Sequence, residues 1–279
     1  MVTRLELPAI DDDDYITGVV RERQAGINAA YFTGILEKWQ GWVRAYVRVH
    51  GDPAQIPASP IRDTDKNKFH NLYTGAQDDS VHGAELKKLR DGKPQFCPAC
   101  GEPGQPNTLD HYLPKELFAE FSITPANLFP MCDTCQGFKG VLTVDEAGLR
   151  YFIHPYFDDF ARDQLLLIKF QAPFDAPTMT LRVNLAPDSD AYQLTHRHIE
   201  KLRLETRVQH FMRDEYSHLL RLAQDTRKDG GDVRANLHQF ARMYRARSVN
   251  RWEHIWYASV LADNALVTYL AEEPLPLLR

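Results

Sequence analysis

The sequence contains few cysteines and no long apolar run. All four cysteines lie between positions 97 and 135, and nothing at the N-terminus is typical of a secretory signal. These absences disfavour a disulfide-stapled secreted domain and a membrane-spanning protein. We therefore expect a soluble protein located in the cytoplasm.

The chain as a whole has no excess of positive charge, since 33 Lys and Arg stand against 38 Asp and Glu. The 279 residues carry a formal net charge of −5 at pH 7, and 43% of them are hydrophobic. This composition is typical of a globular protein with enough apolar residues for one or two packed domains. No helix-turn-helix, zinc-finger array or other base-reading module is visible, so any nucleic-acid-binding surface has to be local.

The cysteines are arranged as two Cys-x-x-Cys pairs, Cys97/Cys100 and Cys132/Cys135. Each pair can present two thiolates at one turn, and four thiolates complete a tetrahedral shell around Zn²⁺. Disulfides or buried free thiols are the alternative, although a reducing compartment disfavours disulfides. We predict a structural zinc site that closes a segment too rich in loops to be held by apolar burial alone.

Between the two pairs, Asp110 and His111 are neighbours on a predicted strand at 108–112. Adjacent side chains leave opposite faces of a strand, so one can ligate a metal while the other reaches a water molecule. An Asp-His pair by itself is more often structural than catalytic. Lys115, Asn127 and the second cysteine pair lie in the same short stretch, and together they favour a functional site.

The whole pattern comprises Cys97, Cys100, Leu109 to Lys115, Asn127, Leu128, Pro130, Cys132, Cys135, Lys139 and Gly140. It resembles the HNH endonuclease family, in the variety that carries a four-cysteine zinc site. The resemblance extends to about His154 and implies an α+β chain with a small, zinc-stapled ββα-metal core. This core would be flanked by a short β-hairpin region and by N- and C-terminal α-helical regions.

The resemblance also implies roles for core residues. His111 would be the general base, and its ordinary pKa of about 6.5 suits that role near neutral pH. Asp110 would ligate a catalytic divalent ion, Mg²⁺ or Mn²⁺, in addition to the structural Zn²⁺. Asn127 would brace the loop and keep the base oriented. The implied reaction is hydrolysis of phosphodiester bonds in DNA, which leaves a 5′-phosphate.

One position departs from the family pattern. After the last cysteine the family usually has His or Asn as a second metal ligand, whereas this chain has Gln136. A glutamine carbonyl oxygen can coordinate Mg²⁺. His154 is a further candidate ligand, and packing at a strand end is an equal alternative for it. The departure favours a second hypothesis, in which a zinc-stapled module without catalytic activity binds nucleic acid or a protein partner.

We predict three regions: an N-terminal helical region at 1–92, the nuclease core at 93–158, and a β-hairpin followed by a C-terminal helical region at 159–279. Residues 52–80 have the composition of a loop that either packs on the core or contacts DNA. A further hairpin is predicted from strands at 142–144 and 149–153.

Candidate phosphate contacts come from two places. Lys115 and Lys139 lie in the core, and solvated surface lysines are the equal alternative for both. Residues 196–251 carry 13 Lys and Arg against 7 Asp and Glu, and they include Arg242 and Arg245. Arginines on one helix face could follow a phosphate backbone, whereas ordinary solvated charge is the alternative.

The biological setting is a hypothesis from the same resemblance. Stand-alone HNH proteins with helical extensions resemble bacterial or phage effectors, which favours restriction or antiviral defence. Such a role implies a regulatory ATPase or sensor protein as a partner in addition to DNA. The sequence does not distinguish DNA from RNA, and no membrane partner is expected.

Overall fold

The computed structural model describes residues 1–276. The α-helices are α1 Asp12–Glu22, α2 Ala29–Arg48, α3 Asp63–Thr74, α4 Val81–Asp91, α5 Asp133–Lys139, α6 Asp190–Lys201, α7 Leu204–Lys228, α8 Val233–Arg245, α9 Trp252–Ala262 and α10 Asn264–Glu272. The strands are β1 Thr108–His111, β2 Leu128–Met131, β3 Leu166–Gln171 and β4 Thr178–Val183. The predicted α+β class is confirmed. Across the described residues, every helix is too short or too polar to cross a membrane.

The chain divides into two compact units. The first unit holds residues 4–98 and 105–159, and therefore α1 to α5 with β1 and β2. The second unit holds residues 1–3, 99–104 and the chain from 160 onward, with β3, β4 and α6 to α10. The predicted N-terminal helices thus share a unit with most of the segment that the cysteines bracket.

In the first unit, the acidic run at 11–14 begins α1. The Asp11 side chain accepts a hydrogen bond from Asp14 N at 2.9 Å, and the acids that follow complement the helix dipole. The predicted N-terminal helical region therefore begins with two separate helices, α1 and α2.

The prediction of a loop at 52–80 is wrong for the middle of this segment, where α3 forms. Phe69 and Leu72 are buried on one side of this helix. Lys66 and Lys68 pair with acids three residues earlier, at 2.9 and 2.8 Å. The composition of this segment, rich in Asp and Asn, is typical of a loop. Asp63 and Asp65, however, lie in the first turn of α3, where acidic side chains favour a helix.

The hairpin expected between 142–144 and 149–153 is also not formed as two strands. A single bridge joins Val144 and Arg150. The Asp145 carboxylate accepts the backbone N–H groups of Ala147 and Leu149, at 3.0 and 2.8 Å. These local bonds stabilise a turn, which competes with a longer ladder of backbone hydrogen bonds.

In the second unit, β3 and β4 form the antiparallel hairpin that the sequence predicts. Leu166, Ile168 and Phe170 alternate inward from β3, and the Phe170 ring packs edge-on against Trp256 of α9 at 5.5 Å. Asn250 lies in the break between α8 and α9. Its side chain accepts a hydrogen bond from Leu165 N at 2.9 Å, which ties this break to the residue before β3.

Candidate functional site

The four cysteines come together as predicted. The sulfur atoms of Cys97, Cys100, Cys132 and Cys135 all lie within 4.8 Å of one another, and none of these residues is in a disulfide. Tetrahedral Zn²⁺ with Zn–S bonds of about 2.3 Å requires sulfurs about 3.8 Å apart. The donor set and its spacing therefore suit a metal ion such as zinc, and the grouping of the cysteines is confirmed.

Nitrogen donors surround these sulfurs. The backbone N–H of Cys132, which precedes α5, donates to Cys97 Sγ at 3.4 Å. The Arg207 guanidinium donates to Cys100 Sγ at 3.5 Å and also pairs with Glu102. Such donors stabilise the negative charge of thiolates and orient them toward a metal.

β1 and β2 place two polar side chains at one end of a small antiparallel hairpin. Thr108 pairs with Met131 and His111 with Leu128, so Asp110 and His111 occupy the last two positions of β1. Asp110 is 6% exposed and His111 is 5% exposed. Burying a charged carboxylate is costly unless neighbouring groups pair with it or donate hydrogen bonds to it.

Helix α5 supplies the neighbours of Asp110. Gln136 Nε2 lies 3.4 Å from Asp110 Oδ1, and Lys139 Nζ lies 2.9 Å from Asp110 Oδ2. Gln136 and Lys139 are three positions apart, so they share one face of the helix. Lys139 is only 1% exposed, and its ammonium donates to the His111 carbonyl oxygen at 2.6 Å. A lysine this buried is neither a solvated surface lysine nor open to a backbone phosphate, so both expectations for Lys139 are wrong.

Asp110 Oδ2 has an ion-pair partner but no hydrogen bond among the residues that the structure describes. Lys139 Nζ is at ion-pair distance but is not aligned for a hydrogen bond, and Oδ2 is a buried oxygen with no hydrogen bond in the described chain. Hard divalent cations take carboxylate oxygens of this kind as ligands. The side chains at this position therefore fit a cation, and a cationic group of the protein already lies there.

His111 is held in one orientation. Its Nε2 lies 2.8 Å from the Ser122 carbonyl oxygen, which can only accept, so Nε2 carries the proton and Nδ1 the lone pair. The Tyr73 ring of α3 packs edge-on at 4.5 Å. Burial lowers the pKa of His111 to about 3, although the bond to Ser122 raises it. The imidazole is therefore neutral, with a pKa far below the ordinary value assumed from the sequence.

Asn127 is fully buried and uses both ends of its amide. Its oxygen accepts from Leu113 N at 2.7 Å and from Tyr46 Oη at 3.1 Å. Its nitrogen donates to the carbonyl oxygens of Leu113 and Phe121, at 3.1 and 3.2 Å. These four bonds tie together the loop between β1 and β2, which also carries the Ser122 carbonyl that orients His111.

His154 belongs to the same buried network. Its Nε2 lies 3.0 Å from Tyr46 Oη, and its Nδ1 accepts from Tyr156 N at 3.1 Å. Burial lowers its pKa well below the ordinary value. Both ring nitrogens are engaged, so ligation of an ion would require one of these bonds to break. Tyr46 links His154 to Asn127, and no motif in the sequence marks this tyrosine as part of the site.

The remaining candidate residues are at least partly exposed. Lys115 pairs with the neighbouring Glu116 at 2.8 Å. Arg242 and Arg245 are exposed on α8, a helix with no Asp or Glu, and neither makes an ion pair within residues 1–276. Arg234 and His238 are exposed at four-residue steps before Arg242, so these four residues form a basic stripe along one helix face.

Comparison with known proteins gives a partial similarity. No family model matches the chain, and no solved structure gives a significant match. Protein ea31 of Escherichia phage lambda is 45% identical over an alignment of 136 residues, with a coverage of 47% of this chain. The matched segment covers 45% of that protein, so the chain spans less than half of the relative's length. The chain is thus similar over part of its length to a phage protein whose name states no activity.

Proposed function

We propose that this protein is a metal-dependent endonuclease with an HNH-type ββα core, and that it hydrolyses phosphodiester bonds in DNA. The observation that carries the proposal is the position of Asp110 and His111 at the end of β1, beside α5 and next to a four-cysteine cluster. A carboxylate and a neutral imidazole at consecutive positions of one strand are groups that metal-assisted hydrolysis of a phosphodiester uses.

His111 takes the role of the general base. Its Nε2–H is fixed on the Ser122 carbonyl, which leaves the Nδ1 lone pair to accept a proton from water. A pKa of about 3 makes a weak base in the substrate-free protein. A phosphate bound nearby brings negative charge, which favours the imidazolium form and raises the pKa. The base would therefore become effective as the substrate arrives.

Asp110 and Gln136 are the residues that would hold the divalent ion. When bound, such an ion stabilises negative charge on the phosphate and on the leaving oxygen. The support for this assignment is the buried Asp110 Oδ2 without a hydrogen bond. His154 is bonded to Tyr46 and Tyr156, and in this proposal it positions Asn127 through Tyr46 rather than ligating the ion.

Substrate binding by the second unit would use the basic stripe of α8. Arg234, His238, Arg242 and Arg245 recur along about three turns of helix, and α8 contains no acid that would repel phosphate. Contacts of this kind give affinity that falls with salt and carry no sequence information. They suit an endonuclease without a base-reading module.

A role in phage defence or restriction, with a regulatory ATPase or sensor as partner, is our hypothesis for the biological setting. It predicts that the chain alone has low activity and that a partner encoded beside it raises that activity. Unregulated cutting by the isolated chain would count against it.

The second candidate function is a zinc-stapled binding module without catalytic activity. The observation that favours it is the ion pair between Asp110 and Lys139, because the carboxylate already has a cationic neighbour.

A plasmid assay separates the two candidates. We would incubate supercoiled DNA with Mg²⁺ or Mn²⁺ and compare the wild type with His111→Ala and with His218→Ala. His218 is an exposed histidine on α7 and serves as the matched control. Nicking that is lost only in H111A supports the nuclease. Nicking that persists in H111A removes His111 as the base, and no cutting with either ion or a partner favours the binding module.

A further inference from the structure

Lys139 is the one fully buried lysine among residues 1–276, and its ammonium lies between two groups of the candidate site. It contacts the Asp110 carboxylate at 2.9 Å and the His111 carbonyl oxygen at 2.6 Å. A buried ammonium needs such partners, because an isolated charge in the interior is very unfavourable. Lys139 therefore depends on Asp110, and Asp110 depends on Lys139.

This ammonium lies at the carboxylate oxygen to which a divalent ion would bind if Asp110 were its ligand. Asp110 has one negative charge, and Lys139 already balances it. A divalent ion on the same carboxylate would bring two further positive charges close to the ammonium, and like charges at such distances repel strongly in a poorly solvated site. Holding both cations on Asp110 in this arrangement is therefore unfavourable.

We propose that Lys139 is a resident counter-ion of Asp110, and that a divalent ion has to displace its ammonium in order to bind. The long side chain of lysine rotates about single bonds, so the ammonium can leave while the backbone of α5 stays in place. Lys139 would thus set the concentration of divalent ion at which the site fills. This inference rests on the proposed function only in taking Asp110 as the ligand of the ion.

The first test measures Mn²⁺ binding by electron paramagnetic resonance on the full, zinc-loaded chain. Lys139→Met keeps the length of the side chain and removes its charge. Lys87→Met is the matched control, since Lys87 of α4 pairs with Asp78 at 2.9 Å, both side chains are exposed, and neither contacts Asp110. We expect K139M to bind Mn²⁺ at least about tenfold more tightly than the wild type, because the competing charge is gone. K87M should stay within about twofold, as surface pairs contribute little.

A double variant identifies the ligand. Asp110→Asn combined with K139M should lose the tight Mn²⁺ binding, because the carboxylate is absent. Affinity in K139M that is no higher than in the wild type would overturn the proposal. Tight binding that survives in the double variant would overturn it as well, since the ion would then lie elsewhere.

A second measurement uses the wild type, so it does not depend on the folding of any variant. Buried ammonium groups exchange slowly enough to be followed by NMR. Titration with Mg²⁺ should remove or shift the Lys139 ammonium signal in step with the Asp110 carboxyl signal. A Lys139 signal that stays unchanged while Asp110 responds would contradict displacement, and so would the absence of any response at Asp110. Both tests read binding, so they stand even if H111A shows that the chain is not a nuclease.

Discussion

The two hairpins of this protein are built on different principles. β3 alternates buried apolar and exposed residues, and its inward side chains pack on α9. β1 and β2 are only four residues long, nearly all of their residues are buried, and two of them are Asp110 and His111. The first hairpin follows the pattern that apolar burial dictates. The second buries polar groups at a cost that other interactions must offset, which is typical of a functional site.

The largest difference between the hairpins should appear when the cysteine cluster is broken. Cys132→Ser, or removal of metal with a chelator, should destabilise the β1–β2 hairpin by about 5 kcal/mol or more, because binding of a structural metal is part of folding. Hydrogen exchange resolved by residue would check this. We expect amides of β1 and β2 to lose protection while amides of β3 and β4 retain it. Equal loss in both hairpins would contradict the comparison.

A matched pair of lysines gives the next effect. Lys139→Met leaves the buried Asp110 carboxylate without its partner and should lower the free energy of unfolding by about 3 kcal/mol or more in metal-free buffer. Lys169→Met, at an exposed position of β3, should change it by less than about 0.5 kcal/mol. Urea unfolding measures both variants. Similar values for the two would mean that the buried ion pair contributes nothing specific.

The pH dependence of stability tests the environment of His111. Its folded pKa, about 3, lies below the unfolded value of about 6.5, so the unfolded chain binds the proton more readily between these values. Stability should therefore be complete above pH 6.5 and fall as the pH drops toward 3. His111→Phe should make this fall shallower by up to about 1.4 kcal/mol per pH unit. An unchanged slope between pH 4 and 6 would show that His111 is not a buried neutral imidazole.

The smallest effect on stability is expected at the surface of α8. Arg242→Glu with Arg245→Glu should alter the free energy of unfolding by less than about 0.5 kcal/mol per position, because both side chains are exposed. The same change should weaken DNA binding and reduce the steepness with which affinity falls with salt. Fluorescence anisotropy at several salt concentrations measures both. An unaltered salt slope would place the DNA contacts elsewhere.

Local patterns predicted much of this arrangement. The spacing of the cysteines predicted their grouping, and the sequence predicted a β-hairpin at the start of the region from 159 onward, where β3 and β4 lie. The sequence did not reveal the burial of Lys139, because spacing along a short helix does not say which face turns inward. It likewise placed His154 among candidate ligands, since no sequence pattern shows that Tyr46 and Tyr156 occupy both of its ring nitrogens.

We propose above all that Asp110 and His111, in the hairpin of β1 and β2, carry out phosphodiester hydrolysis. Single-turnover cleavage of a labelled DNA duplex with Mn²⁺ tests it most directly when the wild type and His111→Ala are compared at equal zinc content. We predict a fall of about a hundredfold or more in the rate constant of H111A, the range typical of losing a general base. Equal rates in the two proteins, or a wild type that leaves the duplex intact even with a partner present, would contradict the claim.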